Sequence, residues 1–392
     1  MNLVDEGRAL LDDLVALRRA LHRDPEVGLD LPRTQQRVLE ALEGLPLEIT
    51  TGQATTSVVA VLRGARPGPT VLLRGDMDGL PVTENTGLDF ASTTGTMHAC
   101  GHDLHTAGLV GAARLLSAHR DELAGSVLFM FQPGEEGYGG AKVMLDEGLL
   151  EASGETPVAA YAIHVSPGPR GVFWHHSGPV MAGSNVLEIT VHGRGGHAAR
   201  PEAVVDPLVA GAEIVLALQT VVARNVDPVR PAVVSCTGFE TDGARNAIPS
   251  TVRITGDTRS FDPQVQVLLE ERIRGIATGV AAAHGARAEV TYTHEFAPTV
   301  NDPEVTARAV AAALAVLGPD RVVPDCDPVM PSEDFGVLAR HVPACFSLLG
   351  NGTEPGRGGT PLHSSDYDLN DEILPAGVAF LVQAVRAELP EP

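Results

Sequence analysis

The densest chemistry in the chain lies in nine residues, Met97-His-Ala-Cys-Gly-His-Asp-Leu-His105. Cys100, His102, Asp103 and His105 share a glycine-containing turn ahead of a helical run, so they can face one point. Thiolate and imidazole are donors that zinc, manganese or cobalt accept, with carboxylates completing the shell. The expectation is a metal site with Cys100 and His102 as ligands. Two other readings stay open here. The turn could be a helix start rich in polar capping groups, or Cys100 could be a nucleophile activated by His102 or His105.

Further donors follow strand-like runs. Phe131-Gln-Pro-Gly-Glu-Glu-Gly137 comes directly after the apolar run Ser126 to Phe131. Carboxylates at the C-terminal end of a parallel strand project into the crevice where α/β sheets bind ligands. Neighbouring Glu135 and Glu136 can divide labour, one coordinating a metal and the other taking a proton from an attacking water. A solvated surface turn is the bland alternative. His164 ends another apolar run, and His363 lies in the polar stretch Pro361-Leu-His-Ser-Ser-Asp366; each is weak alone. Together Cys100, His102, Glu136, His164 and His363 are enough ligands for two divalent ions sharing a bridging group. Such ions, about 3.5–4 Å apart, activate water at neutral pH and polarise a carbonyl. Upstream, Asp76 and Asp78 in Arg74-Gly-Asp-Met-Asp78 could each accept a hydrogen bond from a ligand imidazole and fix its tautomer.

A second group lies further on. Gly193-Arg-Gly-Gly-His197 departs from the spacing of a nucleotide loop, and its glycines permit close approach of a ligand, with His197 at the tip. Asn246 and Arg259 add a neutral donor and a cation suited to a substrate carboxylate, although Arg259 could equally be half of a structural ion pair.

The elements that must position these residues fall into two rhythms. Up to about residue 183, short apolar or β-branched runs alternate with helical ones, which favours a mostly parallel α/β sheet. The first helical run, Gly7 to Leu21, is expected to carry Arg18 and Arg19 on its outward face. Residues 184–295 read β-α-β-β-α-β, the split βαβ of a ferredoxin-like sandwich. Alternation then resumes over 296–392, so the smaller domain is expected as an insertion between catalytic parts 1–183 and 296–392. Composition bounds the partners. Lys+Arg 28 against Asp+Glu 50 leaves a net charge of −22, which repels phosphate backbones and anionic lipid, and 4% aromatics argue against base stacking. No run approaches the roughly 18 apolar residues of a membrane span, and Met1 to Arg23 lacks an apolar signal core. Four cysteines in so long a chain make no disulfide framework, so a reduced, cytoplasmic protein without nucleic-acid or membrane partners is expected.

These blocks, in this order, resemble the M20 family of metallopeptidases, most closely its branch of hippurate hydrolases, N-acyl-amino-acid amidohydrolases and auxin-conjugate hydrolases. The resemblance runs from about Leu17 to Asp371 and rests on Arg74 to Pro81, Met97 to His105, Gln132 to Gly137 and Gly195-Gly-His-Ala-Ala199. It implies a zinc-exopeptidase-like catalytic domain interrupted by a lid and dimerisation domain. It also implies two divalent ions, manganese or zinc with cobalt or nickel compatible, on Cys100, His102, Glu136, His164 and His363. Glu135 falls on the general base, Asp78 on the acid that orients a ligand, and His197 on the oxyanion-stabilising lid histidine, often supplied across a dimer interface. Asn246 and Arg259 fall on positions linked to the substrate carboxylate. The implied reaction is hydrolysis of N-acyl or N-aroyl amino acids by a homodimer or higher homo-oligomer. A dipeptidase or aminoacylase-type peptidase on the same scaffold and a catalytically silent carboxylate-binding protein are the alternatives. Departures occur at Glu202, where relatives often carry His, and at Pro331, where Gly usually precedes the Ser-Glu-Asp-Phe335 block.

Overall fold

A computed structural model of the chain describes residues 2–389, which divide into two compact units. The first comprises residues up to Val180, Val300–Asp327 and the chain from Asp334 onward. Its frame is one eight-stranded sheet. Four strands at the centre, in the order Ala124–Gln132, Arg66–Asp76, Ala159–Ser166 and Ala344–Gly350, run parallel. Leu47–Thr51 and Val58–Arg63 extend one side antiparallel, and the two-residue strands Phe173–Trp174 and Val322–Val323 end the other. The central strands read as continuous apolar runs because both faces are covered: Val127 through Phe131 and Val71 through Leu73 are buried throughout. Helices His102–Ala118 and Leu374–Glu388 supply most of the covering side chains, from Leu104, Ala107 and Val110 to Val378, Phe380 and Val382. Parallel strands end on one edge of the sheet. Asp76, Gln132 and Ser166, with His164 two residues before its strand end, therefore open onto the same side.

The second unit is Met181–Thr299 with Pro328–Glu333. The limits drawn from sequence rhythm, 184 and 295, lie inside it, and the 328–333 segment was not in that range. Its strands Gly183–His192, Ala232–Thr241, Thr251–Ser260 and Arg287–Phe296 form an antiparallel sheet, in spatial order second, third, first, fourth. Helices Pro207–Asn225 and Pro263–Ala283 pack Ala210, Ile214, Leu218, Leu269, Ile273 and Ala277 against Leu187, Ile189, Val252 and Ile254. Strand burial alternates, as expected where only one face meets helices.

Two expectations need correction. Arg18, expected on the outward face of its helix with Arg19, is fully buried. It lies one helical turn from Leu14, on the face that packs inward, and its charge is met by Asp371 at 3.0 Å and Asp103 at 3.6 Å. A segment with the length and hydropathy of a membrane span also exists. Pro207–Asn225 qualifies by length and composition; a third of its apolar window is buried, and that inward stripe closes the second unit's own core.

Candidate metal centre

Two turns at the site are built on glycines in the left-handed region with little room for a side chain. Gly101, at φ 87°, precedes helix His102–Ala118, and a Cβ there would stand 2.4 Å from Val165 Cγ2. Gly134, at φ 71°, carries the chain from Gln132 into the Glu135-Glu136 turn, where a Cβ would meet Leu29 Cδ2 at 2.5 Å. His363 is the single non-glycine residue with positive φ among the described residues, and its N–H donates to Ala99 O at 2.8 Å. Backbone strain of that kind concentrates at functional sites.

These turns bring the side chains of the first unit's candidates together. Cys100, His102 and His164 each offer a donor atom within 4.8 Å of the others, as do Cys100, Glu136 and His363, and His102, Glu135 and Glu136. Cys100 joins the first two groups. Its Sγ lies 3.4 Å from His164 Nε2 and 3.3 Å from His363 Nε2, and His363 Nε2 lies 3.4 Å from Glu136 Oε1. Donors bound to one tetrahedral ion stand roughly 3.3–3.8 Å apart, given bond lengths of about 2.0–2.3 Å, so the spacing fits. Both ring nitrogens of His102 and Glu136 Oε1 are buried without a hydrogen-bond partner, which a cation would repair.

The proton positions agree. His164 Nδ1–H donates to Val165 O at 2.6 Å, which turns the lone pair of Nε2 toward Cys100. Burial, helped by the neighbouring His105, pushes its pKa well down and keeps it neutral. Burial also raises the Cys100 thiol, a pull that His102 and His363 only partly offset. The Cys100 sulfur and the Glu136 carboxylate facing it, against burial, raise His363 to about 10. The protons on Cys100 and His363 thus hold positions that a divalent ion would take over on binding.

Asp78 does two things. Its Oδ1 stands 3.4 Å from His102 Nδ1, and its two oxygens accept the backbone N–H groups of Glu135 and Glu136, each at 3.1 Å. It faces the imidazole and fixes the Glu-Glu turn at once. That turn is no solvated loop, because Glu135 is buried. Asp76, His102 and His105 form a further group of donor atoms within 4.8 Å, but His105 is already engaged: its Nδ1–H donates to Asp76 Oδ1 at 2.6 Å and its Nε2 accepts Val165 N–H at 2.9 Å. With both nitrogens engaged it cannot activate Cys100. Asp103 likewise turns away, accepting from Leu104 N–H and His22.

A family model described as peptidase family M20/M25/M40 matches residues 72–387. The chain belongs to this family. It is 36% identical over 391 residues to thermostable carboxypeptidase 1 of Saccharolobus solfataricus, covering 98% of each chain. It is 37% identical to the IAA-amino acid hydrolase ILR1-like 2 of Arabidopsis thaliana, over 95% of this chain and 84% of that one. Among solved structures it matches the Bacillus subtilis YXEP protein, a dinuclear metal-binding peptidase of the M20 family, with TM-score 0.82 and 33% identity over 96% and 98% of the two chains. This M20 chain is therefore a metal-dependent hydrolase with a large, mostly parallel sheet.

The remaining candidates lie in the second unit. His197 is exposed in the two-residue strand Gly196–His197, which pairs with Ala247–Ile248. Its Nδ1 accepts Ala199 N–H at 3.1 Å, which leaves the proton on Nε2 and an outward N–H donor. Asn246 is exposed beside it, its carbonyl accepting Ala198 N–H at 3.1 Å. Arg259 is already engaged, Nε to Asp257 Oδ2 at 2.5 Å and Nη1 to the Ser332 hydroxyl, so the ion-pair alternative holds within this unit.

Sequence reasoning overlooked the buried support behind the cluster. Arg74, Gln132 and Asp334 are fully buried, and none of them stood out by type as a ligand. The one signal was spacing: Arg74 and Asp76, two apart on a strand, must share a face.

Proposed function

We propose that this M20 hydrolase cleaves the amide bond of N-acyl or N-aroyl amino acids, releasing a free amino acid and a carboxylic acid. The observation that carries the reading is the convergence of Cys100, His102, Glu136, His164 and His363 beside the buried Glu135. Those five would hold two divalent ions. When bound, the ions supply Lewis acidity at the scissile carbonyl and at the attacking water. Manganese or zinc suits the mixed thiolate, imidazole and carboxylate set, and cobalt or nickel is compatible.

Glu135 takes the proton as water attacks the carbonyl carbon, then delivers it to the amide nitrogen as the C–N bond breaks. Asp78 keeps Glu135 and Glu136 in register by accepting their backbone N–H groups. In this reading the second unit acts as a ferredoxin-like lid and dimerisation domain inserted in the catalytic domain. His197 Nε2–H donates to the developing oxyanion, in the same chain or across a dimer. Asn246 and Arg259 meet the substrate carboxylate, Arg259 through the donors that Asp257 and Ser332 leave to it. The names of the two relatives support the leaving half: a carboxypeptidase and an amino acid hydrolase both release an amino acid from an amide. The former also supports a second reading, a peptidase whose acyl half is itself an amino acid. The reading extends to a homo-oligomer without nucleic-acid or membrane partners, in the cytoplasm, where Cys100 stays reduced and able to ligate.

The test is amino-acid release from hippurate, N-acetyl-methionine, N-acetyl-leucine, indole-acetyl-alanine and a dipeptide, after chelation and again after adding manganese or zinc. Metal-restored release from an acylated substrate supports the proposal, and preference for the dipeptide favours the second reading. Activity untouched by chelation but abolished by thiol alkylation would overturn both in favour of a Cys100 nucleophile.

A further inference from the structure

Behind the metal centre lies a set of buried polar contacts joining Arg74, Asp76, Gln132 and Asp334, and Asp334 groups with Glu333 and the buried Glu135 within 4.8 Å. Arg74 Nη1 donates to Asp76 Oδ2 at 2.7 Å, its Nε to Gln132 Oε1 at 2.9 Å, and its Nη2 to Asp334 Oδ1 at 3.2 Å. Gln132 Nε2 reaches both oxygens of Asp334, at 2.7 and 2.8 Å, and Asp334 Oδ2 also accepts Ala141 N–H at 2.9 Å. Every side chain in it is buried. Each member also adjoins the centre. Gln132 is the last strand residue before the turn that carries Glu135 and Glu136, and its carbonyl accepts Met77 N–H at 2.8 Å, between Asp76 and Asp78. Asp76 Oδ2 stands 3.5 Å from His102 Nε2, yet Arg74 and His105 occupy both its oxygens. A carboxylate that close to a candidate ligand would compete for a cation if it were released. The backbone joins in as well, since Asp334 is the residue at which the chain re-enters the first unit after Pro328–Glu333.

We propose that Arg74 and Asp334 are positioning residues: with Gln132 they form a clasp that keeps Asp76 out of the metal's ligand set and holds the Glu135-Glu136 turn in place. The clasp rests on the reading of Cys100, His102, Glu136, His164 and His363 as a metal centre, and it is independent of which amide is cleaved. Partners behind metal ligands commonly account for 10–100-fold in metal affinity.

Cobalt(II) titration of the chelated, full-length chain tests it, read by the thiolate-to-cobalt charge-transfer and d–d bands and by ions bound per chain. Asp334→Asn keeps the shape and removes the charge; it should weaken cobalt binding about 10–100-fold and change the d–d spectrum. Arg74→Met/Asp334→Leu deletes the pair together, which spares the fold a lone buried charge, and should show the same change if Asp334→Asn does not fold. Val38→Ala, a core truncation outside the clasp, serves as the destabilised control and should bind cobalt like the wild type. Wild-type affinity and spectrum in the folded clasp variants, or an equal loss in Val38→Ala, would overturn the clasp alone. No cobalt uptake by the wild-type chain would overturn the metal reading and the clasp with it.

Discussion

The two units offer their chemistry on opposite terms. In the first, Asp78, Glu135 and His164 near strand ends and Cys100 and His102 at the start of helix His102–Ala118 are all buried. In the second, His197 is exposed on a two-residue strand and Asn246 is exposed just before the strand that pairs with it. Buried donors tied at their backbones are set before any ligand arrives, which is what electrostatic catalysis requires. Exposed groups on short loops open locally at little free-energy cost, which suits residues that must meet a substrate and release it. In the proposed reaction the first unit supplies preorganised chemistry and the second adjustable contact.

Glu135→Gln should break the comparison hardest. A lost general base removes about 10²–10⁴ in kcat, while the five ligands and the Asp78 contacts to the turn backbone remain. Bound metal counted beside turnover checks it; near-full activity would remove Glu135 from the mechanism. His197→Ala should cost about 10²–10³ in kcat, the scale of one oxyanion donor. Its exposed position leaves the melting temperature within the narrow range of surface substitutions, so a large thermal shift would mean that the loop is structural.

Gly101→Ala sharpens the contrast from the side of stability. Its left-handed φ and the 2.4 Å approach to Val165 should cost more than about 1–2 kcal/mol and lower metal content. Denaturant unfolding with metal analysis reads both. The smallest effect expected is at His119, which bridges Glu6 and Glu122 in the first unit, at 2.5 and 2.9 Å. The Glu6 hydrogen bond, against burial, raises its pKa. A raised folded-state value means that the stabilisation is full below the unfolded value of about 6.5 and fades as pH rises through the folded one. His119→Ala should then destabilise by on the order of 0.5 kcal/mol at pH 6, since the pair is still partly open to solvent, and by less at pH 9. Equal losses at both would show that the contact is packing and not charge.

Much of the first unit was legible because its signals are local. Continuous apolar runs, glycine turns and clustered donors mark the strands ending at Asp76, Gln132 and Ser166 and the helix that opens at His102. The helix Pro32–Leu42 and the short strands Phe173–Trp174 and Val322–Val323 escaped notice, being polar in pattern or too brief to carry a period. Arg18 was misplaced because a charge was weighed above its helical position. Arg259 was readable as either a substrate donor or an ion pair, since a lone cation carries no record of its partner.

Residue type and spacing marked Cys100, His102, Glu136, His164 and His363 as candidate donors and the Glu135-Glu136 pair as able to divide coordination from proton transfer, because ligand chemistry is written in residue type; the resemblance to the M20 family put the base on Glu135. Which of the other polar groups serve the site was decided only in three dimensions. His105 and Asp76 look as much like ligands as His102 does, yet His105 is spent on Asp76 and Val165, and Asp76 on Arg74 and His105. A hydrogen bond depends on which lone pair meets which proton across strands 58 or 260 residues apart in the chain, as Gln132 and Asp334 do with Arg74. No local pattern encodes a contact of that separation.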